Sequence, residues 1–247
     1  MRLEIIGVPC AKEFRPGDDL VDVLVDALSG VGGLHAGDVL VVTQKVVSKA
    51  EGRLVALATV DAQALARSYA AQWQKDPRVV ELALREAWRV VRMVRGVLLT
   101  QTHHGLICAN SGIDLSNARD GEAVLLPIDP DASAERIRTG IARRTGVFAA
   151  VIVTDTFGRP WRRGQTNVAI GVAGAAPLAD YRGQQDAQGR ELKATEIAVA
   201  DEIASAAELV MNKADGTPFA IVRGYRMPEG GGGAKDLVRP SEQDLFL

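Results

Sequence analysis

The feature that most constrains the fold is a continuous apolar run at residues 147–153, VFAAVIV. A run this short and rich in Val favours a strand buried on both faces over a helix. The polar residues TDT follow at 154–156, and the Gly and Pro of FGRP at 157–160 predict a break in the strand. A second apolar strand is expected at residues 168–172. The chain is therefore expected to build its core on a buried sheet.

A carboxylate and two hydroxyls lie at the end of this predicted strand. Open α/β sheets place ligands at the carboxyl ends of their strands. Asp155 with its neighbouring threonines suits a hard cation such as Mg²⁺, and Arg159, Arg162 and Arg163 suit phosphate or carboxylate. A solvated polar loop between two core strands explains the same composition equally well. From these residues alone, both interpretations stay open.

Composition excludes several classes of protein. The 247 residues are 47% hydrophobic, which is enough for a sizeable core, but only 4% aromatic, so that core is expected to be aliphatic. A net charge of −2 gives no global field toward nucleic acid or anionic membrane. Cys10 and Cys108 show no metal or disulfide spacing and are expected to be free thiols. No signal peptide or membrane span is recognisable, which predicts a cytoplasmic protein.

Hydrophobic periodicity predicts an irregular mixture of strands and helices. The expected strands lie at residues 3–8, 38–47, 54–57, 90–100, 106–109, 122–126, 147–153, 168–172 and 217–222. The expected helices lie at residues 18–29, 61–73, 77–88, 133–145 and 195–211. We therefore expect a single α/β (α+β) domain over residues 1–247, with a mixed sheet.

Two further polar segments follow predicted strands. Residues 110–117, NSGIDLSN, combine Asn, Ser and Asp, which is typical of turns and equally of metal or nucleotide ligands. Lys49 and Arg53 follow the strand predicted at 38–47. They would either contact a phosphate or be exposed charges on the surface of a hairpin. The glycines at 30–33 do not form a dinucleotide motif, because they precede a strand and position six is His35. No P-loop motif occurs.

Five segments in this order resemble the coenzyme F420-0:γ-glutamyl ligase family over nearly the whole chain. They are VVTQKVVSKAEGR, CANSGIDLSN, VIVTDTFGRPWRRGQTNVAIG, DYRG followed by GREL, and ADEIASAAELVM. The resemblance implies an enzyme that uses GTP to join L-glutamate, through a γ-linkage, to the lactyl-phospho side chain of coenzyme F420-0. It implies two divalent cations, Mn²⁺ or Mg²⁺, with K⁺ as a further candidate. It also implies the family's own mixed α/β fold of two subdomains in an intertwined homodimer, with the active site near the interface.

The resemblance also assigns roles to individual positions. Asp114 and Asp155 match ligands of one metal, and Thr156 matches a ligand of the second. The positions that match nucleotide contacts are Gly7, Val8, Pro9, Cys10, Thr43, Gln44, Lys49 and Asn117. The expected catalytic residues are Asp155, Arg159 and Arg162. One departure concerns residues 211–216, MNKADG, where archaeal members carry an acidic ligand of the second metal; Asp215 is a candidate replacement.

The expected mechanism passes through an acyl phosphate made from the substrate carboxylate and the γ-phosphate of GTP. Two other functions are weighed against it. A metal-dependent phosphatase of the haloacid type would also carry an Asp after a core strand, but Phe157 stands where that family needs a second acid. A nucleotide- or deazaflavin-binding module without catalysis is the other alternative, which the set of metal ligands disfavours.

Overall fold

The computed structural model describes residues 2–116 and 118–244. The α-helices of this part of the chain are α1 (Leu20–Ser29), α2 (Gln44–Ala50), α3 (Ala64–Trp73), α4 (Pro77–Arg85), α5 (Pro130–Thr145) and α6 (Val199–Met211). Its strands are β1 (Glu4–Val8), β2 (Val39–Thr43), β3 (Leu54–Ala56), β4 (Ala87–Val94), β5 (Val97–Thr102), β6 (Ile107–Ala109), β7 (Glu122–Val124), β8 (Ala150–Arg159), β9 (Arg162–Ala173), β10 (Ala179–Asp180), β11 (Glu196–Ile197) and β12 (Phe219–Arg223). Short 3₁₀ turns cover Asn110–Gly112 and Ala234–Leu237 among others.

The core is a five-stranded mixed sheet in the order β1-β12-β2-β8-β9. Strands β2 and β8 are parallel, with Leu40 beside Val151, and the other pairs are antiparallel. The carboxyl ends of β1, β2 and β8 therefore lie along one edge, together with the start of β12. The prediction of a mixed α/β architecture is confirmed.

Alternation along β2 explains why both faces of this sheet are covered. Leu40 and Val42 pack with α1 and α5 on one face, while Val39 and Val41 pack with α6 on the other. Successive side chains of a strand point to opposite faces, so a strand between two helical layers must be apolar throughout. Within the run at 147–153, Val151, Ile152 and Val153 are fully buried in this way, whereas Phe148 precedes β8 and is 67% exposed.

Helix ends follow the capping signals of the sequence. The Asp19 carboxylate caps α1 by accepting hydrogen bonds from the backbone N–H groups of Val21 and Asp22, at 3.0 and 3.1 Å. Gly146 ends α5 with φ of 75°, a left-handed conformation that glycine adopts without strain. These local signals fix where the covering helices begin and end.

Residues 54–126 form smaller layers beside the main sheet. Strands β4, β5 and β6 make a three-stranded antiparallel sheet, and β3 pairs with β7. Helices α3 and α4 pack here around Ala66, Val80 and Leu98. This part of the chain carries the 3₁₀ turn that precedes Asp114.

Three predicted elements differ in the structure. The strand expected at 38–47 ends at Thr43, and helix α2 follows, because the Thr43 hydroxyl accepts from the N–H of Lys45 and caps a helix. The strand expected at 90–100 is a hairpin that turns at Arg95 and Gly96, both with positive φ. The break expected at 157–160 is also wrong, because β8 continues to Arg159.

The continuation of β8 has a clear cause. Gly158 pairs with Gln165 of β9, so the antiparallel ladder holds through the glycine, and the chain turns only at Pro160 and Trp161. The segment after Asp155 is thus one arm of a long hairpin and not an irregular loop. Among the described residues, no helix is long and apolar enough to cross a membrane.

Candidate functional site

Backbone hydrogen bonds join the strand ends at one edge of the main sheet. The N–H of Cys10, just after β1, donates to the carbonyl of Gly216 at 2.9 Å. The N–H of Thr43, at the end of β2, donates to the carbonyl of Pro218 at 3.0 Å. Asp155 follows along β8 from Thr154, which lies beside Thr43. Segments distant in sequence therefore meet where a ligand would bind.

A cavity of about 820 Å³ opens at this edge. Its lining, among the described residues, includes four lysines and four acids, so it suits a ligand that carries both phosphate and a cation. They are Lys12, Lys45, Lys49, Lys213, Glu13, Asp114, Asp155 and Glu208.

Asp155 is a partly buried acid in the lining of the cavity. Burial raises the pKa of its carboxyl to about 6; the backbone N–H of Thr156 opposes this, the nearby charge of Asp114 adds to it, and the ammonium groups of Lys213 and Lys45 oppose it. Burial destabilises the ionised form of such an acid, and any cation that binds beside it stabilises that form. Asp155 is therefore a suitable ligand for a metal ion.

Asp114 reaches the same cavity from a segment distant in sequence. Its backbone pairs with Val124 in both directions, at 2.8 and 3.0 Å, which fixes the position of the residue. One carboxylate oxygen lies 2.7 Å from the Lys45 ammonium, and the other accepts from the N–H of Ser116 at 2.6 Å. Burial works to raise the pKa of Asp114, but the hydrogen bonds from Lys45 and Ser116 outweigh it and hold that pKa below its usual value. We call Asp114, Asp155 and Lys45 the carboxylate side.

A hydrogen-bonded chain forms the other wall. The Thr156 hydroxyl donates to Oδ1 of Asn167 at 2.6 Å, and Nδ2 of Asn167 donates to Glu208 at 2.9 Å. The Lys213 ammonium donates to the Thr156 hydroxyl oxygen and lies 3.8 Å from the other oxygen of Glu208. Asn167 is buried and holds both partners in place. We call Thr156, Asn167, Glu208 and Lys213 the α6 side.

Helix α6 supports this wall through a polar stripe. Asp201, Ser205 and Glu208 lie at spacings of four and three, which places them on one face of a helix. All three bond to β9: Asp201 accepts from the N–H of Ala169 at 2.8 Å, and Ser205 donates to the carbonyl of Asn167 at 2.7 Å. The stripe therefore sets the rotation of α6 and aims Glu208 at the cavity.

The structure brings part of the predicted site together. Of the positions proposed from the resemblance, those that line the cavity are Cys10, Thr43, Lys49, Asp114, Asp155 and Thr156. Those described but absent from its lining are Gly7, Val8, Pro9, Gln44, Arg159 and Arg162. Asn117 lies outside the described residues.

The two arginines lie toward the tip of the β8–β9 hairpin. Arg159 is four residues beyond Asp155, about 13 Å along a strand, and its Nη2 donates to the carbonyl of Arg163 at 2.9 Å. Arg162 is exposed on the opposite strand. The candidate replacement ligand Asp215 is hydrogen-bonded to Asn212 at 2.8 Å and is also absent from the described lining.

Three important side chains have no direct signal in the sequence. Lys45 was hidden because its segment was interpreted as a strand; as the second residue of α2 it reaches across the cavity. Asn167 directly precedes the strand predicted at 168–172, and its partner Glu208 is 41 residues away. The helical spacing of Asp201, Ser205 and Glu208 is the one signal that would have indicated a polar contact here.

The side chains available as ligands decide whether a metal ion fits the cavity. Among the described residues, no group of three or more His, Cys, Asp or Glu side chains is placed to hold a metal ion. Mg²⁺ commonly binds through one or two carboxylates with phosphate oxygens and water completing its shell. Asp114 and Asp155, which repel each other electrostatically, supply two such carboxylates. One divalent cation therefore fits the carboxylate side when a phosphate ligand contributes.

Fold and cavity together define a mixed α/β protein with a cavity lined by lysines and carboxylates at the carboxyl edge of its sheet. A model of the F420-0:γ-glutamyl ligase family matches residues 10–224. The chain belongs to that family, as the resemblance predicted, and the family assignment makes it a ligase.

Individual relatives match nearly end to end. The chain is 45% identical to the coenzyme F420:L-glutamate ligase of Methanopyrus kandleri, with 99% of this chain and 97% of the relative covered. It is 44% identical to the enzyme of the same name from Methanothermobacter thermautotrophicus, covering 100% and 99%. It is also 44% identical to that of Methanocaldococcus jannaschii, covering 99% and 97%.

Proposed function

We propose that this protein adds L-glutamate, through a γ-linkage, to coenzyme F420-0 with GTP as the energy source, in the biosynthesis of coenzyme F420. The names of its relatives support the two substrates and the ligase reaction. The observation that carries the proposal is that Asp114 and Asp155, from separate segments, line one cavity with Lys45 and Lys49. This combination serves a ligand with several phosphates and a divalent cation.

The proposed reaction has two steps. An oxygen of the substrate's terminal carboxylate attacks the γ-phosphorus of GTP, and the bond to the bridging oxygen breaks to release GDP. The amine nitrogen of glutamate then attacks the acyl carbon, the bond to the phosphate oxygen breaks, and the nitrogen loses a proton as inorganic phosphate leaves. For such phosphoryl transfer the protein mainly needs to position the reacting groups and to neutralise the charge of the phosphates.

The lining residues take roles that follow from their chemistry. Asp114 and Asp155 would hold a Mn²⁺ or Mg²⁺ ion, which when bound neutralises phosphate charge. Lys49 and Lys45 face phosphate oxygens, and the backbone turns at Cys10 and Thr43 contact the nucleotide. Lys45 exchanges its bond to Asp114 for one to phosphate as the metal binds. The contacts of Gly7, Val8, Pro9, Gln44 and Asn117 with the nucleotide, and a role for K⁺, remain predictions.

We also propose a homodimer of two-subdomain chains with the family's own fold. Apolar side chains on the β4–β5–β6 sheet support a contact surface, since Trp88, Val97 and Ile107 are each more than 40% exposed. Gly158 and Gln165 of the β8–β9 hairpin line the cavity of their own chain, but Arg159 and Arg162 nearer its tip do not. Arg159 and Arg162 would therefore clamp phosphate or carboxylate in the partner's cavity.

Mixing inactive variants tests this arrangement. Subunits carrying Asp155→Asn and subunits carrying Arg162→Ala, refolded together, regain activity if each supplies what the other lacks. Recovery to about a quarter of wild type is expected, because random pairing makes half of the dimers mixed and each mixed dimer has one intact site. If mixtures stay as inactive as their components, or if light scattering finds only monomers, the shared site is wrong.

A turnover assay tests the activity itself. The protein is incubated with GTP, Mn²⁺, L-glutamate and coenzyme F420-0, and the product is examined by mass spectrometry. The expected product carries one or more added glutamyl groups, with one GDP and one phosphate released for each. The parallel reactions omit glutamate, omit F420-0 or replace GTP with ATP.

Two other outcomes would favour the alternative functions. Release of phosphate from GTP at full rate without glutamate or F420-0 would favour a phosphatase. Binding of GTP and deazaflavin without any product would favour a binding module. The two carboxylates and four lysines around one cavity favour the ligase over both.

A further inference from the structure

The α6 side contains an oxygen cluster that already holds a positive charge. The Lys213 ammonium donates to the hydroxyl oxygen of Thr156 and lies 3.8 Å from Glu208. A hydroxyl and a carboxylate pointing at one position beside Asp155 are ligands of the kind that a hard cation prefers. In this chain a side chain of the protein fills that position.

Hydrogen bonding fixes the polarity of the cluster. Thr156 gives its only proton to Oδ1 of Asn167, so the remaining lone pairs of its oxygen face the cavity and accept. The amide nitrogen of Asn167 donates to one oxygen of Glu208, which leaves the other toward Lys213. The buried amide thus turns both neighbours into acceptors for a cation.

Charge balance separates this cluster from the carboxylate side. Glu208 and Lys213 carry one negative and one positive charge, so the α6 side is neutral without any metal. Asp114 and Asp155 bring two negative charges, of which Asp114 is paired with Lys45. Asp155 is attracted by Lys213 as well as by Lys45, and burial disfavours its ionised form. The electrostatic free energy of binding a divalent cation is therefore more favourable on the carboxylate side than beside an ammonium group, which repels the cation.

We propose that Lys213 is a built-in cation that takes the place of a second divalent metal ion, so that each chain binds one divalent cation and presents an ammonium group to the phosphates. This inference rests on the proposed function, because it concerns the same nucleotide site. It departs from the two-metal expectation of the sequence. The residues of the α6 side do not fit a second metal while Lys213 occupies the cluster.

Counting bound manganese tests the proposal without any turnover. Mn²⁺ is equilibrated by dialysis with the protein and a non-hydrolysable GTP analogue, with the analogue alone as the reference, and bound Mn²⁺ is counted by electron paramagnetic resonance. We expect one tightly bound Mn²⁺ per chain for wild type. Lys213→Glu adds a carboxylate to the cluster and removes the competing ammonium, and is expected to bind two, with a spectrum broadened by coupling between neighbouring ions. Lys193→Glu, an exposed change of the same charge in the β10–β11 connection, is expected to bind one.

The possible failures are distinct. Two Mn²⁺ per wild-type chain, or one in Lys213→Glu with an unchanged melting curve, would overturn the inference and leave the proposed function intact. No Mn²⁺ in wild type would overturn both, because the Asp114–Asp155 site would then be absent. The Lys213 side chain is 60% exposed, so its substitution is expected to leave the fold unchanged.

A second variant checks that the ammonium faces phosphate. Lys213→Gln removes the charge without adding a metal ligand, so one Mn²⁺ is expected to remain. Loss of a charge-assisted hydrogen bond to phosphate is expected to raise KM for GTP roughly 10-fold, and Lys213→Arg is expected to restore most of it. An unchanged KM for GTP in Lys213→Gln would contradict the proposal.

Discussion

The two walls of the cavity use the same residue types in opposite ways. The carboxylate side sets two acids against one lysine and buries one of the acids, whereas the α6 side sets one acid against one lysine around a buried amide. The first wall carries an excess of negative charge, and the second is balanced. The number of carboxylates per ammonium group, and not the mere presence of oxygen ligands, therefore decides where a metal ion gains free energy.

The same fold contains an ion pair with no role at the site. At the far end of β2, the Asp38 carboxylate is 2% exposed and accepts two hydrogen bonds from Arg223, at 2.8 and 3.0 Å. It also accepts from the N–H of His35 at 2.8 Å. Both of its oxygens accept hydrogen bonds within the protein. The Asp155 carboxylate interacts with the backbone N–H of Thr156, but no ion pair within 4.0 Å joins it to a lysine or arginine among the described residues. This difference distinguishes an acid held for stability from one held for a ligand.

Substitution of the two acids should give the largest loss of activity. Asp155→Asn and Asp114→Asn are each expected to reduce glutamylation by about 10²–10³-fold, because the metal and the phosphate charge lose a ligand. Asp155→Asn should unfold at the same temperature as wild type or higher, since the neutral amide removes the cost of burying a charge. Initial rates and thermal melts measure both. Retained glutamylation in either variant contradicts the metal assignment.

The amide at the centre of the α6 side is expected to matter less. Asn167→Leu removes the bonds to Thr156 and Glu208, so both side chains lose their fixed orientation. By analogy with groups that orient metal ligands, activity should fall about 10–100-fold, and stability by about 1–3 kcal/mol because buried partners are left unpaired. Steady-state kinetics and urea unfolding test this. A loss as large as that of Asp155→Asn would mean that the two walls are not distinct in the way described.

The Asp38–Arg223 pair should affect stability alone. Asp38→Asn is expected to cost about 2–4 kcal/mol, since a partly buried guanidinium loses its charged partner, while kcat of the folded enzyme stays unchanged. Burial would raise the pKa of Asp38, but the hydrogen bonds from Arg223 and His35 outweigh it and lower that pKa. The pair's contribution is therefore complete above the unfolded pKa of about 4 and is lost as pH falls through the folded value. Urea unfolding at pH 7 and at lower pH should show the difference between variant and wild type shrinking.

Sequence patterns predicted the apolar core better than the polar site. The buried strand at 151–153 and the strand end after Val8 follow from hydrophobic periodicity, which is a local property, whereas the end of β2 at Thr43 does not. Helix α2 did not follow, because Val46 and Val47 favour a strand locally, yet both are buried against the main core as helical residues. Tertiary packing outweighed local preference there.

The site itself depends on contacts between distant segments. Asp114 and Asp155 were expected to converge from the family resemblance and from the rule about strand ends, and both line the cavity. Lys45 reaches Ser116, 71 residues away, and Lys213 reaches Thr156, 57 residues away. Nothing in the local sequence around these lysines fixes such pairings. They follow from the strand order of the sheet and the rotation of α6.

The anomalous scattering of manganese in a crystal grown with Mn²⁺ and a non-hydrolysable GTP analogue tests the central claim most directly. One peak is expected within ligand distance of both Asp114 and Asp155 and of a terminal phosphate oxygen, with the Lys213 ammonium on the other side of the phosphates. A peak coordinated by Thr156 and Glu208 while the space between the two aspartates stays empty would contradict the account.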